Sequence, residues 1–143
     1  MRYIARILNT FSVAVSVMRV ALEDQDLNLV DFTFRVNSDL VGKITNLASR
    51  GAQMLYKVPA LGGRLGALDG DGRSLVALAQ SRADAIAAHY EARRFSQVPV
   101  EIAKIADAAN EYFDRRQPWL TCKTDAEATR ITLTATLNVF RIL

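Results

Sequence analysis

The sequence has 143 residues but only one cysteine, one histidine, three prolines and one tryptophan, and these scarcities remove whole classes of chemistry. Cys122 alone cannot close an internal disulfide or build a multi-thiolate metal centre, so a reducing, cytoplasmic setting is the expectation. His89 alone leaves no histidine-based zinc site, and it is the sole candidate base for a nucleophile–histidine–acid arrangement. In His89-Tyr90-Glu91 it reads as a surface or half-buried structural group. No catalytic residue, metal or cofactor is expected. Five of the seven glycines fall between Gly62 and Gly72, and the tracts on either side are nearly free of glycine and proline. Those tracts predict helices and not many short strands.

The sequence also has no long uninterrupted apolar run. Ile7 to Met18 imitates the apolar core of a secretory leader, with Arg2 and Arg6 before it. Asn9, Thr10, Ser12 and Ser16 interrupt it, Arg19 closes it, and no small-x-small cleavage site follows. It is too short and too polar to span a membrane. Half the residues are apolar and 23% are charged, with a net charge of +3. That is the balance of one ordinary globular domain, 1–143, and its mild basicity permits nucleic-acid binding without demanding it.

Apolar spacing places a first helix over about Arg2 to Leu22, through Ile4, Ile7, Phe11, Val15 and Met18. Residues 1–25 thus form an apolar first helix and its link. Asn28 with Asp31 offers a capped start for a second helix reaching Val58, just before Pro59. Asp24, Asp26 and Asp31 near that start complement the helix dipole. The Gly-rich stretch 59–73 reads as a surface loop. It lacks the Gly-Lys-Ser/Thr of a phosphate loop, and Asp69, Asp71 and Gly72 echo only part of a calcium loop.

A third helix is predicted from Ser74 to Arg94. A fourth is capped by Ser96, buries Ile102, Ile105, Ala106, Ala109 and Phe113, and ends before Pro118–Trp119. Asp107, Glu111 and Asp114 read as a solvated charged face. The last segment, Thr129 to Phe140, alternates as a strand does, yet Thr124 to Glu127 is a capping box before Leu133, Leu137 and Phe140 at helical spacing. A lone strand would leave its backbone unpaired, so helix is expected. The fold class is all-α, an antiparallel bundle of about five helices.

The second helix carries two stripes. Val36, Leu40, Ile44 and Leu47 share an apolar face, and Lys43, Asn46, Arg50, Gln53 and Lys57 share a polar one. Asn donates to and accepts from a base edge, and Arg adds a planar fork and a cationic stacking face. With an exposed aromatic, for which Trp119 is the candidate, such a stripe suits single-stranded RNA. It equally suits the wet face of a helix.

Several blocks bear on that choice: DLNLVDFTFRVNSDLVGKITNLASR (Asp26–Arg50), YEARRF (Tyr90–Phe95), EIAKIADAANEYFDRRQPW (Glu101–Trp119) and LNVFRIL (Leu137–Leu143). In that order they resemble the anticodon-binding helical domain of methionyl-tRNA synthetases. Met1-Arg2-Tyr3 also looks like the L-R-Y that opens that family's first bundle helix.

The resemblance implies a bundle that reads the CAU anticodon of methionine tRNA. Asn46 and Arg50 would contact anticodon bases, Trp119 would be the platform for the first of them, and Pro118 would hold that ring. Lys43, Lys57, Arg115 and Arg116 are then candidates for phosphate contacts. The family's catalytic motifs are absent from this sequence, so no aminoacylation by this chain alone is expected. Thr10 to Gln25 is longer and more apolar than the family's link, the stretch after Trp119 is shorter, and the last helix stops before the usual proline. The expected partner is methionine tRNA, with a synthetase catalytic domain or self-association through residues 1–22 as further partners. The alternatives are a redeployed protein-interaction module and the tRNA-binding piece of a split synthetase.

Overall fold

A computed structural model describes Val30, Thr33, Phe34 and residues 36–143. The expected first helix, its link and the Asn28–Asp31 cap lie outside the described residues. From residue 36 on, the expected order of helices holds, with no strand among the described residues.

The second expected helix has two windings. Val36–Thr45 is a π-helix and Asn46–Lys57 is an α-helix, here α1. The wider π turn breaks the i, i+4 alignment of the apolar stripe. Val36, Leu40 and Ile44 are only half-buried, and Leu47, where α-winding begins, is fully buried. A 3-10 turn, Pro59–Leu61, follows and buries Leu61.

The Gly-rich stretch is not a free loop. The Gly66 amide donates to Thr134 Oγ1 (2.8 Å), and Arg130 donates to the Ala60 carbonyl (3.0 Å). Its last four residues already belong to α2, Gly70–Ser81. The sequence reading starts that helix at Ser74, because Gly70 and Gly72 disfavour helix. Asp69 overrides them as N-cap, accepting from the Gly72 amide at 2.7 Å. Gly72 itself marks a close approach: a Cβ there would stand 3.1 Å from Ala135 Cβ.

The single helix expected from Ser74 to Arg94 is two, α2 and α3 (Ala83–Glu91), broken at Arg82. Ser81 Oγ bonds back to the Leu78 carbonyl at 2.8 Å, a competing bond that bends helices. The long helix α4, Gln97–Arg116, follows Ser96 as expected, but the Ser96 side chain makes no capping bond. Its buried face includes Val98, Glu101 and Tyr112, and Ile102 is only half-buried. After α4 come one short turn, α5 (Pro118–Thr121), and the last helix, α6 (Ala126–Ile142).

Helix α6 resolves the strand-like alternation of its sequence. Thr129, Thr132, Thr134 and Thr136 are buried, and each hydroxyl donates to the carbonyl four residues back at 2.7–3.0 Å. The helix thereby satisfies its buried hydroxyls internally, which a single strand could not do. Asp125, and not Thr124, caps it, accepting from the Ala128 amide at 2.9 Å.

Helix α6 packs against α1, α2, α4 and α5. One apolar core unites Leu47, Leu55, Leu75, Ile105, Phe113, Leu133 and Val139. Gly51 meets Leu137 and Ala60 meets Arg130, so α1 and α6 run antiparallel. Lys43 pairs with Asp107 and Arg50 with Asp114, so the π-helix–α1 segment and α4 run in the same direction. The bundle is therefore antiparallel about α6 on both sides.

Candidate nucleic-acid interface

A groove of about 500 Å³ opens between α1 and the α4–α5 turn. Its polar wall is Asn46, Ser49, Arg50, Gln53 and Lys57, all from α1. Met54, Val58 and Phe113 make the apolar lining, and Trp119 and Cys122 complete it from the other side. Four of the five residues in the sequence-derived polar stripe thus face one groove, together with the only tryptophan. Lys43 is not among the lining residues. Its Nζ pairs with Asp107 at 2.9 Å.

The wall is braced along its length. Gln53 Nε2 donates to Ser49 Oγ at 2.9 Å, and Lys57 Nζ donates to Gln53 Oε1 at 3.2 Å. These are i, i+4 partners, as helical spacing requires. At the other end, Asn110 Nδ2 donates to the Lys43 carbonyl at 3.0 Å and so fixes the start of α1 against α4.

Arg50 is the hub. Its guanidinium carbon lies 4.6 Å from the centroid of the Phe113 ring and 5.5 Å from that of Trp119. It also donates to Asp114 at 3.1 Å. The two rings are 6.0 Å apart and tilted by 42°. A flat cation, a half-exposed indole and a carboxylate are therefore within reach of one another.

The chain presents Trp119 through an abrupt stop. Helix α4 ends at Arg116, and Gln117 turns the backbone into the left-handed region (φ 46°, ψ 56°). Pro118 then starts α5 and is almost completely buried, while Trp119 keeps 38% of its surface exposed. Proline suits the first position of a helix, where its missing amide costs nothing. The buried proline anchors the turn and the next residue projects outward. Thr121 Oγ1 meets Thr129 Oγ1 at 2.8 Å, tying α5 to α6.

Arg115 and Arg116 sit elsewhere. Both guanidinium groups lie over the Tyr112 ring, 5.9 and 5.4 Å from its centroid. Arg116 pairs with Asp69 and approaches Asp71 at 3.5 Å, and Arg115 is 4.0 Å from Asp71. Burial pushes the Tyr112 hydroxyl up from its ordinary pKa.

Five groove residues lie outside the polar stripe and Trp119: Ser49, Met54, Val58, Phe113 and Cys122. Ser49 shares the helix face of Gln53, four residues on, so spacing alone reaches it. Phe113, expected in the core, serves both: its side chain is fully buried and its ring meets Arg50 at the floor of the groove. Asp107 and Asp114 are solvent-exposed as expected, and they are also ion-paired across helices to Lys43 and Arg50.

The chain is similar to known proteins over most of its length. Residues 58–143 match a family model described as the anticodon binding domain of methionyl tRNA ligase. The methionine–tRNA ligase of Bdellovibrio bacteriovorus is 53% identical over 123 residues, covering 86% of this chain and 18% of that protein. That of Thiobacillus denitrificans is 47% identical over 125 residues, covering 85% and 18%. The chain thus spans under a fifth of the length of these relatives. The structure of Mycobacterium tuberculosis methionyl-tRNA synthetase in complex with methionyl-adenylate superposes with a TM-score of 0.71 at 29% identity, covering 80% of this chain and 23% of that one.

Proposed function

The chain belongs to the family of methionyl-tRNA ligase anticodon-binding domains, and from that premise we propose that its groove receives the unstacked anticodon bases of methionine tRNA. The single observation that carries this reading is the convergence of Asn46, Arg50, Gln53 and Lys57 with Trp119 around one groove. The exposed indole face offers a stacking surface for the first anticodon base, with Pro118 holding the ring. Asn46 and Arg50 supply donors and acceptors for base edges, and the CAU sequence is the one they read. Gln53 and Lys57 extend the wall toward the flanking nucleotides. Lys43 and Arg115 offer positive charge for backbone phosphates, as Arg116 would if released from its acids.

The match is to the anticodon-binding part of a tRNA ligase and not to its catalytic part. The chain alone therefore performs no aminoacylation in this reading. It serves a methionyl-tRNA synthetase catalytic domain, in the cytoplasm, by holding the tRNA. An aminoacylation assay of this chain alone gives no product on this account.

The decisive test is titration of a CAU anticodon stem-loop and an altered-anticodon stem-loop by fluorescence anisotropy. The CAU loop binds more tightly to the wild type. Trp119→Ala weakens it by about 1–3 kcal/mol, the usual loss of one base–aromatic stack. Equal binding of both loops, or equal binding by wild type and variant, sinks the proposal.

A further inference from the structure

We infer that Asp69, the N-cap of α2, positions Trp119 through Arg116. This rests on the groove being the anticodon site, and it makes Asp69 a positioning residue for that site.

The two oxygens of Asp69 have separate partners. Oδ1 accepts from the Gly72 amide at 2.7 Å and caps α2. Oδ2 accepts from Arg116 Nη2. Arg116 is the last residue of α4, and the next three are Gln117, Pro118 and Trp119. Gln117 stands at φ 46°, a conformation that side-chain-bearing residues other than Asn and Asp seldom adopt. Such a residue keeps its conformation only where the flanking contacts hold it.

Those contacts are identifiable. After the turn, Pro118 is buried and Thr121 is bonded to Thr129. Before it, the Gln117 amide donates to the carbonyl of the buried Phe113 at 3.1 Å, and the Arg116 guanidinium lies over Tyr112 and pairs with Asp69. Among the described residues Arg116 Nε has no acceptor, and the buried Tyr112 hydroxyl lies beside the same guanidinium. Asp69 is therefore the acid nearest to Arg116 at this end of α4, with Asp71 next at 3.5 Å. Arg116 acts here as a fastener and not as a phosphate ligand. The groove's aromatic platform is thus coupled to the capping residue of α2, although Asp69 does not line the groove.

Trp119 is the only tryptophan, so the emission of the whole chain reports its surroundings. Asp69→Asn keeps an oxygen for the Gly72 cap and removes the carboxylate from Arg116. In the free protein its Trp119 emission shifts to the red and acrylamide quenches it more strongly. Its affinity for the CAU stem-loop falls about tenfold, the scale of one charge-assisted hydrogen bond. Arg116→Gln has the same two effects, and the double variant is no worse than either single one.

Glu101→Gln, which breaks an ion-pair cluster elsewhere on α4, costs stability without moving Trp119 emission. Unchanged Trp119 quenching in Asp69→Asn overturns the inference. So does an Arg116→Gln variant that loses RNA affinity with unaltered quenching, because Arg116 would then touch phosphate directly. If Asp69→Asn does not fold, Arg116→Gln decides alone. Failure of the wild type to distinguish the CAU loop refutes the anticodon reading, while the quenching comparison without RNA still decides whether Asp69 places the ring.

Discussion

Arg50→Lys separates charge from shape at the hub of the groove. Lysine keeps the positive charge but loses the planar face that lies 4.6 Å from the Phe113 centroid and 5.5 Å from that of Trp119. Two such contacts, one to the buried Phe113 ring and one to the partly exposed Trp119 ring, contribute about 0.5–1 kcal/mol each, of which an ammonium recovers part. The pair with Asp114, whose side chains are 36% and 58% exposed, adds little. The free protein should therefore lose about 1 kcal/mol of stability, read as a lower urea midpoint.

RNA binding should lose more. If Arg50 forks to a base edge or stacks on it, the lost contact is worth about 1–3 kcal/mol, or roughly 5- to 150-fold in Kd. The dependence of log Kd on log salt should not change, because the number of neutralised phosphates is the same. Anisotropy titrations of the CAU stem-loop at four salt concentrations measure both quantities. A lysine variant with wild-type affinity and wild-type slope refutes the reasoning, since Arg50 would then be only a charge.

Three further outcomes test the fold that carries the groove. Gly72→Ala places a methyl 3.0 Å from Asp69 Oδ1 and 3.1 Å from Ala135 Cβ, so it should destabilise by about 1–3 kcal/mol in urea despite the better helix propensity of alanine. Thr134→Val removes the acceptor of the Gly66 amide and should cost about 1–2 kcal/mol by the same assay, without changing RNA specificity. The hydrogen bond from Lys104, helped by the charge of Arg82 and opposed by burial, holds the Glu101 carboxyl below its ordinary value of 4.5. A lowered folded pKa means that Glu101 contributes stability above its unfolded value and loses it as pH falls through the folded one. Urea midpoints of wild type and Glu101→Gln should therefore converge below pH 4.5 and separate above it.

The sequence makes the helices legible where one pattern acts alone. Helix α4 has both a strong apolar period and a proline stop, and its end at Arg116 is as expected. Reading fails where two local preferences compete. At Asp69 the cap outweighs two glycines, which hides the start of α2 in what looks like a loop. At Ser81 a side-chain bond to the backbone divides an otherwise continuous alanine- and leucine-rich helix. In the groove, the polar residues of α1 follow from spacing on one helix. Phe113 and Asp114 do not, because their role comes from the register between two helices, which no single-helix pattern contains.

That register explains why a stripe becomes a site. Lys43 faces Asp107 and Arg50 faces Asp114, so each helix advances by seven residues, or two turns, between the pairs. Exposed pairs of this kind contribute about 0.2–1 kcal/mol each, too little to hold the bundle. The buried core supplies the stability, but apolar packing is non-directional and tolerates rearrangement if volume is kept. A slip of α1 by one turn along α4 would take Arg50 away from Asp114 and Trp119. The two ion pairs and the Asn110 bond to the Lys43 carbonyl each add a small penalty to that slip, because their cross-helix partners would be lost. Their role is therefore to choose among registers of similar packing energy the one in which Arg50 meets the indole. The charge-swapped double variant Lys43→Asp/Asp107→Lys should then keep the wild-type urea midpoint and Trp119 quenching, while Asp107→Lys alone, which opposes two cations, should lower the midpoint and change the quenching.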